Sequence, residues 1–257
     1  MIAAIVQARM GSTRLPGKVL MNLAGRPVLW HIVTRLKHAA LLDRICVATT
    51  LGHEDDAVEE ACRQWGVPVC RGPRDDVLSR YYACAKQIGM QPGRKDFVVR
   101  ITADCPFVDP AIVDHLAGLM ARGQYDYASN VDPPSFPDGL DVEIFSFDAL
   151  ETAAREASLP SDREHVTPFI RKNIAFLKYN YARTPDTSGL RLTLDTAEDF
   201  RMISMVYDAL YREGGIIPVS GVLGFLDARP DIAAINARSQ RNEGYDKSLS
   251  RDRMKMR

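Results

Sequence analysis

Three cations and two glycines lie close together in QARMGSTRLPGKVL, a segment near the start of the chain. Arg9, Arg14 and Lys18 supply positive charge, while Gly11 and Gly17 let the backbone approach a ligand closely. Fixed cations and exposed backbone N–H groups both attract phosphate oxygens. A surface loop with solvated charges is the alternative, but the position directly after the first apolar strand favours a ligand site. The segment therefore predicts a loop that binds a polyphosphate.

This loop differs from the P-loop, in which a Gly, four residues and Gly-Lys-Ser/Thr follow one another. Here five residues separate Gly11 from Gly17, and Val19 has no hydroxyl group for Mg²⁺. Ser12 and Thr13 instead place hydroxyl groups inside the loop. These differences argue against a P-loop kinase or NTPase, and they predict that any metal ion is held elsewhere in the chain.

Two carboxylates are candidates for holding that metal ion. Asp104, in RITADCPFVDP, and Asp195, in LRLTLDTAEDF, each follow an apolar strand-like run. Mg²⁺ prefers oxygen ligands and commonly takes one or two protein carboxylates beside a phosphate. Each residue also has a structural interpretation, since Asp104 could close a turn and Asp195 could cap the next helix. As a pair at two strand ends, they favour a shared Mg²⁺ site.

The elements that must position these residues alternate between strand and helix. Strands are predicted at 2–6, 44–49, 67–70, 96–102 and 125–129, and helices at 27–39, 55–65, 76–88 and 110–121. This alternation is typical of βαβ units and a mostly parallel sheet. Ligands bind at the carboxyl ends of the strands in such sheets. The segment QARMGSTRLPGKVL, which we call the basic loop, and Asp104 both follow strands at that edge.

The second half of the chain is less regular. Its Pro-rich stretch 130–146 predicts a loop, a turn at Pro137-Asp138-Gly139 and then an outlying strand. Further helices are predicted at 147–157, 162–172 and 197–212, and further strands at 174–181 and 191–194. Residues 236–257 are polar and basic, which predicts a mobile tail. We therefore expect one α/β domain over 1–235, a three-layer sandwich with a mostly parallel sheet and an outlying β-arm at about 130–146.

Composition and charge exclude several classes of protein. Lys plus Arg number 33, as do Asp plus Glu, and this balance argues against a protein that binds nucleic acid broadly. The five cysteines form no CxxC pair, so we expect reduced and mostly buried thiols in a cytoplasmic protein. No apolar segment is long enough to cross a bilayer, so we expect no contact with a membrane.

Several motifs together carry a resemblance to a known family. QARMGSTRLPGKVL with GRPVLWHIV resembles the signature loop of the sugar-acid cytidylyltransferases, which make CMP-octulosonate and CMP-sialates. ITADCPFVDP is similar to the second motif of that family, and LTLDTAEDF to its late acidic motif. DDVLSRYY and REHVTPFI resemble the branch related to the spore coat polysaccharide biosynthesis protein F. The resemblance covers the chain from Ile2 to Phe200.

The resemblance implies a nucleotide-diphospho-sugar transferase-like fold and a Mg²⁺-dependent reaction between CTP and an acidic sugar. It implies that Arg14, Lys18 and Asp104 are catalytic and that Asp104 and Asp195 bind Mg²⁺. The residues that it assigns to the nucleotide are Ala8, Arg9, Gly11, Ser12, Arg14, Lys18, Arg71, Asp76, Arg80 and Arg100. The residues that it assigns to the sugar or to a dimer partner are Asp138, Asp141, Glu143, Glu164 and His165. It also implies a homodimer that acts in cell-surface or spore-coat polysaccharide synthesis.

Two other interpretations stay open. A glycosyltransferase of the same fold could consume a nucleotide sugar, although such enzymes usually place a second carboxylate two residues from the first. Thr102 and Pro106 occupy those positions around Asp104. A non-catalytic nucleotide-binding protein is the second alternative, and the density of cations beside two strand-end carboxylates argues against it.

Overall fold

A sheet of seven strands forms the centre of the computed structural model, which describes residues 1–237, 241 and 243–255. The strands are β1 (Ile2–Gln7), β2 (Asn22–Leu23), β3 (Arg26–Pro27), β4 (Arg44–Thr50), β5 (Val69–Gly72), β6 (Phe97–Thr102), β7 (Tyr127–Ser129), β8 (Glu143–Ser146) and β9 (Lys178–Asn180). The order in the sheet is β5-β4-β1-β6-β8-β7-β9, and β2 and β3 form a separate pair. All pairs in the large sheet are parallel except those of β8, so the prediction of a mostly parallel sheet is confirmed.

Helices cover both faces of this sheet. They are α1 (Val28–Leu36), α2 (Asp56–Gln64), α3 (Val77–Gln87), α4 (Pro110–Ala121), α5 (Phe147–Glu156), α6 (Pro160–His165), α7 (Pro168–Lys172), α8 (Ala197–Leu210), α9 (Val219–Ala228), α10 (Pro230–Ala233) and α11 (Glu243–Lys255). Successive side chains of a strand point to opposite faces, so Ala4 and Val6 join one hydrophobic cluster while Ala3 and Ile5 join another. The result is the three-layer α/β sandwich that the sequence predicts.

The parallel strands bring the predicted site to one edge of the sheet. Gln7, at the end of β1, pairs with Ala48 of β4 and with Thr102 of β6. The basic loop and Asp104 therefore leave the sheet side by side. The backbone N–H of Leu194 donates to the carbonyl oxygen of Asp104 at 2.8 Å, which brings the late acidic segment to the same edge.

The predicted outlying arm is wrong, because β8 lies inside the sheet. It pairs antiparallel with β6 on one side and with β7 on the other. The loop that leads into it is also packed, since Leu140 and Val142 are fully buried. The alternation of polar and apolar residues in this segment predicts a strand with one side facing solvent. Glu143, on the polar side, is instead buried and forms an ion pair with Arg100.

Three further expectations differ from the structure. The predicted helix 162–172 is interrupted at Val166, whose φ of 71° breaks the helical path between α6 and α7. Among the described residues, the predicted strand 191–194 forms a single bridge, between Arg191 and Asp138, instead of a ladder. The sequence also left α9 unassigned, although Val222 is fully buried there.

The predicted mobile tail contains a packed helix, α11. Ser248 and Asp252 of this helix are buried, and the backbone N–H of Ser161 donates to Asp252 Oδ1 at 3.0 Å. The helix carries few apolar residues, so the sequence shows no core-facing stripe and polar contacts hold it instead. The parts of the tail at 238–240, 242 and 256–257 lie outside the described residues.

Two other expectations concern the whole chain. All five cysteines are buried and form no disulfide, as the absence of CxxC pairs predicts. Within the part of the chain that the structure describes, none of the helices combines the length and the apolar character needed to span a membrane.

Candidate active site

Backbone hydrogen bonds fix the basic loop after β1. The N–H groups of Ser12 and Gly17 both donate to the carbonyl oxygen of Met10, each at 2.9 Å. The N–H of Met10 donates in turn to Oδ1 of the buried Asp55 at 2.7 Å. Gly17 has a φ of 72°, a left-handed conformation that a side chain would disfavour. The loop therefore presents its cations from a preformed backbone.

Lys18 lies at the centre of the site and contacts both predicted metal ligands. Its Nζ donates to Asp104 Oδ2 at 2.9 Å, to Asp195 Oδ1 at 2.8 Å and to the carbonyl oxygen of Leu194 at 2.7 Å. Burial lowers the pKa of Lys18, but the two carboxylates outweigh this effect and raise it. Lys18 therefore stays charged, and all three of its ammonium hydrogens have acceptors.

The two carboxylates differ in their surroundings. Burial would raise the pKa of Asp104, but the charge of Lys18 together with hydrogen bonds from Thr102 and Lys18 outweighs burial and holds this pKa at about 2. Asp195 receives two further cations at Oδ2, Arg14 at 2.9 Å and Arg191 at 3.1 Å. Asp195 thus connects the basic loop to the late acidic segment, while Asp104 has Lys18 as its cation.

The donor set fits one Mg²⁺ ion. Both side chains are carboxylates, the hard oxygen ligands that Mg²⁺ prefers, and both are partly exposed, at 25% for Asp104 and 18% for Asp195. Over residues 1–237, 241 and 243–255, no third acidic, His or Cys side chain joins them in a tight ligand group. Phosphate oxygens and water would have to complete the coordination, as is usual for Mg²⁺ beside a nucleotide.

Asp104 and Asp195 lie where two cavities meet. The first cavity has a volume of about 460 Å³ and the second about 520 Å³. Both are lined by Gln7, Arg14, Thr102, Asp104, His165, Asp195 and Gly244. A metal ion on the two carboxylates would therefore contact ligands in either cavity.

The two cavities differ in charge. The described lining of the first contains seven Lys or Arg side chains, Arg9, Arg14, Lys18, Arg74, Arg80, Lys247 and Arg251, against four carboxylates, Asp75, Asp104, Glu164 and Asp195. Among the described residues, the second cavity is lined by five arginines, Arg14, Arg100, Arg171, Arg191 and Arg241, and by seven carboxylates, Asp104, Asp132, Asp138, Asp141, Glu143, Asp195 and Glu243. The first cavity is thus the better site for a polyphosphate.

Most of the residues assigned to the nucleotide line the first cavity, namely Ala8, Arg9, Ser12, Arg14, Lys18 and Arg80. Gly11, Arg71 and Asp76 line neither cavity, and Arg100 lines the second. Arg71 points towards α2, where it pairs with Asp56 and Glu59. A Cβ on Gly11 would lie 3.4 Å from Nη2 of Arg74, so Gly11 borders an arginine that lines the first cavity.

Asp76 has a structural role. Its carboxylate caps α3 by accepting from the N–H of Ser79 at 3.0 Å, and it pairs with Arg163 at 2.7 Å. We expect Asp76→Ala to lower the free energy of unfolding by about 1 to 2 kcal/mol, because it removes a helix cap. Chemical denaturation would measure this loss. The nucleotide affinity should stay unchanged, and a large drop in that affinity would contradict the structural role of Asp76.

The residues assigned to the sugar divide between the cavities. Asp138, Asp141, Glu143 and His165 line the second cavity, whereas Glu164 lines only the first. Glu143 accepts hydrogen bonds from the hydroxyls of Tyr127 and Thr167, each at 2.6 Å. It also pairs with Arg100, so its carboxylate is already satisfied within the protein.

Arg191 was not among the residues that the sequence predicted for the site. It forms ion pairs with three aspartates, Asp138, Asp195 and Asp199. Its guanidinium contacts Asp199 Oδ1 at 2.9 Å, Asp138 Oδ2 at 2.8 Å and Asp195 Oδ2 at 3.1 Å. A signal for it exists in the sequence. Arg191, Thr193 and Asp195 alternate, which is the spacing that puts side chains on one face of an extended segment. All three line the second cavity.

These features define a class of protein. A cationic loop after the first strand of a mostly parallel sheet, two strand-end carboxylates and an adjoining second cavity are the arrangement of an α/β nucleotidyltransferase fold. A family model described as Cytidylyltransferase matches residues 3–210. The chain therefore belongs to the cytidylyltransferase family, and the resemblance seen in its motifs is confirmed.

Individual relatives support the same assignment. An uncharacterized protein of Methanocaldococcus jannaschii is 39% identical over 241 residues, which is 92% of this chain and 94% of that protein. Spore coat polysaccharide biosynthesis protein SpsF of Bacillus subtilis is 32% identical over 244 residues, 90% of this chain and 96% of SpsF. The solved structure of a cytidylyltransferase from Leptospira borgpetersenii has a TM-score of 0.83 and 31% identity, and the match covers 93% of this chain and 98% of that one.

Proposed function

We propose that this protein transfers CMP from CTP to a hydroxyl group of an acidic sugar, with Mg²⁺, and releases pyrophosphate. One observation carries the proposal: the ammonium of Lys18 is hydrogen-bonded to both Asp104 and Asp195 where the two cavities meet. A transferase needs its charge-neutralising groups between the nucleotide that donates the transferred group and the acceptor. Lys18, Asp104 and Asp195 lie between two cavities in this way, and one of the cavities is rich in cations.

CTP occupies the first cavity in this proposal. Its triphosphate lies along the basic loop, where Arg14 contacts the phosphates. Lys18 joins it by exchanging one of its carboxylate contacts for a phosphate oxygen, and both cations then stabilise the departing pyrophosphate. The base and ribose extend towards Ala8 and Arg80. Arg80 is 2% exposed, and its Nε has no hydrogen-bond partner in the described residues, so a nucleotide could supply one.

Asp104 and Asp195 would hold Mg²⁺. When it is bound, Mg²⁺ neutralises phosphate charge and orients the reacting groups. Nucleotidyl transfer depends on positioning and charge neutralisation rather than on a covalent intermediate, so no nucleophilic side chain is required. Arg191 contributes by holding Asp195 in place through a contact of 3.1 Å.

The acceptor occupies the second cavity. The surplus of carboxylates in this cavity limits where the acidic group of the sugar can lie. Arg171 is a candidate partner for that group. Arg171 lines this cavity, and its Nε is buried without a hydrogen-bond partner among the described residues. Asp138 and Asp141 line the same cavity and can accept hydrogen bonds from sugar hydroxyls.

The similarity to SpsF supports a role in the synthesis of a cell-surface or spore-coat polysaccharide. We further propose that the protein is cytoplasmic, where CTP is made, and acts as a homodimer. Light scattering coupled to size-exclusion chromatography would measure the mass of the particle in solution, and a monomer at working concentrations would contradict the dimer.

A pyrophosphate-release screen tests the reaction. Four nucleoside triphosphates would be assayed with acidic and neutral sugars, with Mg²⁺ and with a chelator. We expect pyrophosphate to appear with CTP and an acidic sugar when Mg²⁺ is present. Release of a nucleoside diphosphate would indicate a kinase. Consumption of a nucleotide sugar in place of CTP would indicate a glycosyltransferase of the same fold.

The affinity for an acidic acceptor should depend on pH through Asp141. Burial raises the pKa of Asp141 to about 7, and Arg241 opposes this by a smaller amount. Below that pH the side chain is neutral, and above it a negative charge repels an acidic sugar. We therefore expect the KM for the acceptor to rise as the pH increases through 7, and Asp141→Asn to flatten the profile. A profile that the substitution leaves unchanged would contradict the role of Asp141.

A further inference from the structure

One face of α11 is turned towards the first cavity. Gly244, Lys247, Ser248 and Arg251 all line it. Their spacing of three and four residues places them on the same side of a helix. Gly244 lies next to His165 of α6, whose Cε1 is 4.0 Å from where a Cβ at position 244 would be. The helix therefore forms part of the cavity wall.

Polar contacts fix the orientation of this helix. The hydroxyl of Ser248 donates to Glu164 Oε2 at 2.7 Å and lies 3.0 Å from Nε2 of His165. One turn further on, Asp252 accepts from the backbone of Ser161. At the start of the helix, Glu243 pairs with Arg14 of the basic loop at 3.0 Å. These contacts connect α11 to α6 and to the loop, and they set which face meets the cavity.

This face adds positive charge to the first cavity. Without Lys247 and Arg251, the described lining of the first cavity would contain five cations against four carboxylates instead of seven against four. Among the described residues, Lys247 forms no ion pair, and Arg251 is 3.8 Å from the nearest oxygen of Glu164. Both cations are therefore available to a ligand.

We propose that Lys247 and Arg251 bind the phosphate chain of the nucleoside triphosphate, so that α11 and the basic loop together form the phosphate-binding wall. The proposal rests on the proposed function only in placing a nucleoside triphosphate in the first cavity. It adds a binding element from a part of the chain that lies beyond the matched family region of residues 3–210.

The test is direct measurement of nucleotide binding by the full-length chain. The variant is Lys247→Ala/Arg251→Ala, and the dissociation constants of CTP and CMP would be measured by calorimetry with Mg²⁺. We expect the constant for CTP to rise about tenfold, because two charge-assisted contacts are lost. CMP lacks the two outer phosphates, so its constant should change much less.

A matched control separates local contact from general electrostatics. Arg63→Ala/Lys86→Ala also removes two exposed cations, one from α2 and one from α3, and neither residue lines the cavity. This control should bind CTP as the wild type does. An equal loss of CTP affinity in both double variants would overturn the proposal, as would an equal loss of CTP and CMP affinity in the α11 variant.

The outcomes also separate this proposal from the proposed function. If the α11 variant binds and turns over CTP normally, the role of α11 is wrong and the transferase stands. If the wild type binds another nucleoside triphosphate instead of CTP, and the α11 variant weakens that binding, cytidine specificity is wrong and the role of α11 stands. If the wild type binds no nucleoside triphosphate, both are wrong.

Discussion

Replacing Lys18 with alanine is expected to lower kcat/KM for pyrophosphate release by roughly 10³-fold, the upper range seen when one charge-stabilising donor is removed from an active site. Lys18 contacts Asp104, Asp195 and the carbonyl of Leu194, so no neighbouring cation can replace all three contacts. Its loss also leaves two carboxylates facing each other without their shared cation. Steady-state kinetics with CTP and the acceptor would measure the effect.

The main alternative explanation for such a loss is that the variant fails to fold. Removing one partner of a buried ion pair can cost about 3 to 5 kcal/mol. Lys18→Met keeps the length of the side chain without its charge, and thermal unfolding of both variants would show how much folded protein is present. Lys37→Ala removes an exposed lysine just after α1 and serves as the control. A folded Lys18→Met variant with wild-type turnover would contradict a catalytic role for this residue.

The second large effect is expected at the two carboxylates. Asp104→Asn should reduce turnover by roughly 10²-fold or more, because a neutral amide is a weaker ligand for Mg²⁺ and no longer pairs with Lys18. The Mg²⁺ concentration needed for half-maximal activity should rise in parallel. Titration of activity with Mg²⁺ measures both quantities, and Asp208→Asn, at an exposed position on α8, is the matched control.

Asp195→Asn should resemble Asp104→Asn in its metal dependence but differ in stability. Asp195 pairs with Lys18, Arg14 and Arg191, so its neutralisation leaves three cations close together. We therefore expect a lower melting temperature for Asp195→Asn than for Asp104→Asn. If neither variant changes the Mg²⁺ dependence, the two carboxylates are not the metal ligands.

The site could be predicted to the extent that its residues follow strands. Lys18 contacts Asp104 and Asp195 across 86 and 177 positions of sequence. The sequence nonetheless grouped them, because parallel strands end at one edge of a sheet and each residue comes just after a strand-like run. That rule concerns the backbone, and it holds whatever the intervening helices do.

The rule that residues after parallel strands meet at one edge of the sheet is weaker for residues further from the strand ends. Arg71 lies near the site in sequence, but its side chain turns to Asp56 and Glu59 of α2. Asp76 is next to the cavity-lining Val77, yet it caps a helix. A residue type and a position leave the direction of a side chain open, and neighbours from other elements decide it.

A buried polar pair explains why the predicted outlying position of β8 was wrong. In β8, a polar residue among apolar ones suggested a strand with one solvated side at the outside of the molecule. Glu143 instead pairs with Arg100 of β6, a residue 43 positions earlier in the chain. A charge that is matched across the sheet can be buried, and a local pattern shows no sign of the match.

The sequence by itself determined the mostly parallel α/β sheet, the cationic character of the loop after β1 and the meeting of Asp104 and Asp195 at one edge of the sheet, because these follow from residue type, from local periodicity and from where strands end. Only the tertiary structure decided that β8 lies inside the sheet, that Arg191 holds the acidic cluster and that α11 lines the first cavity. In each of these cases at least one deciding contact joins polar groups far apart in the chain: Arg100 with Glu143, Arg191 with Asp138, and Arg14 with Glu243. Hydrogen bonds and ion pairs of that kind depend on geometry that exists only once the core has packed.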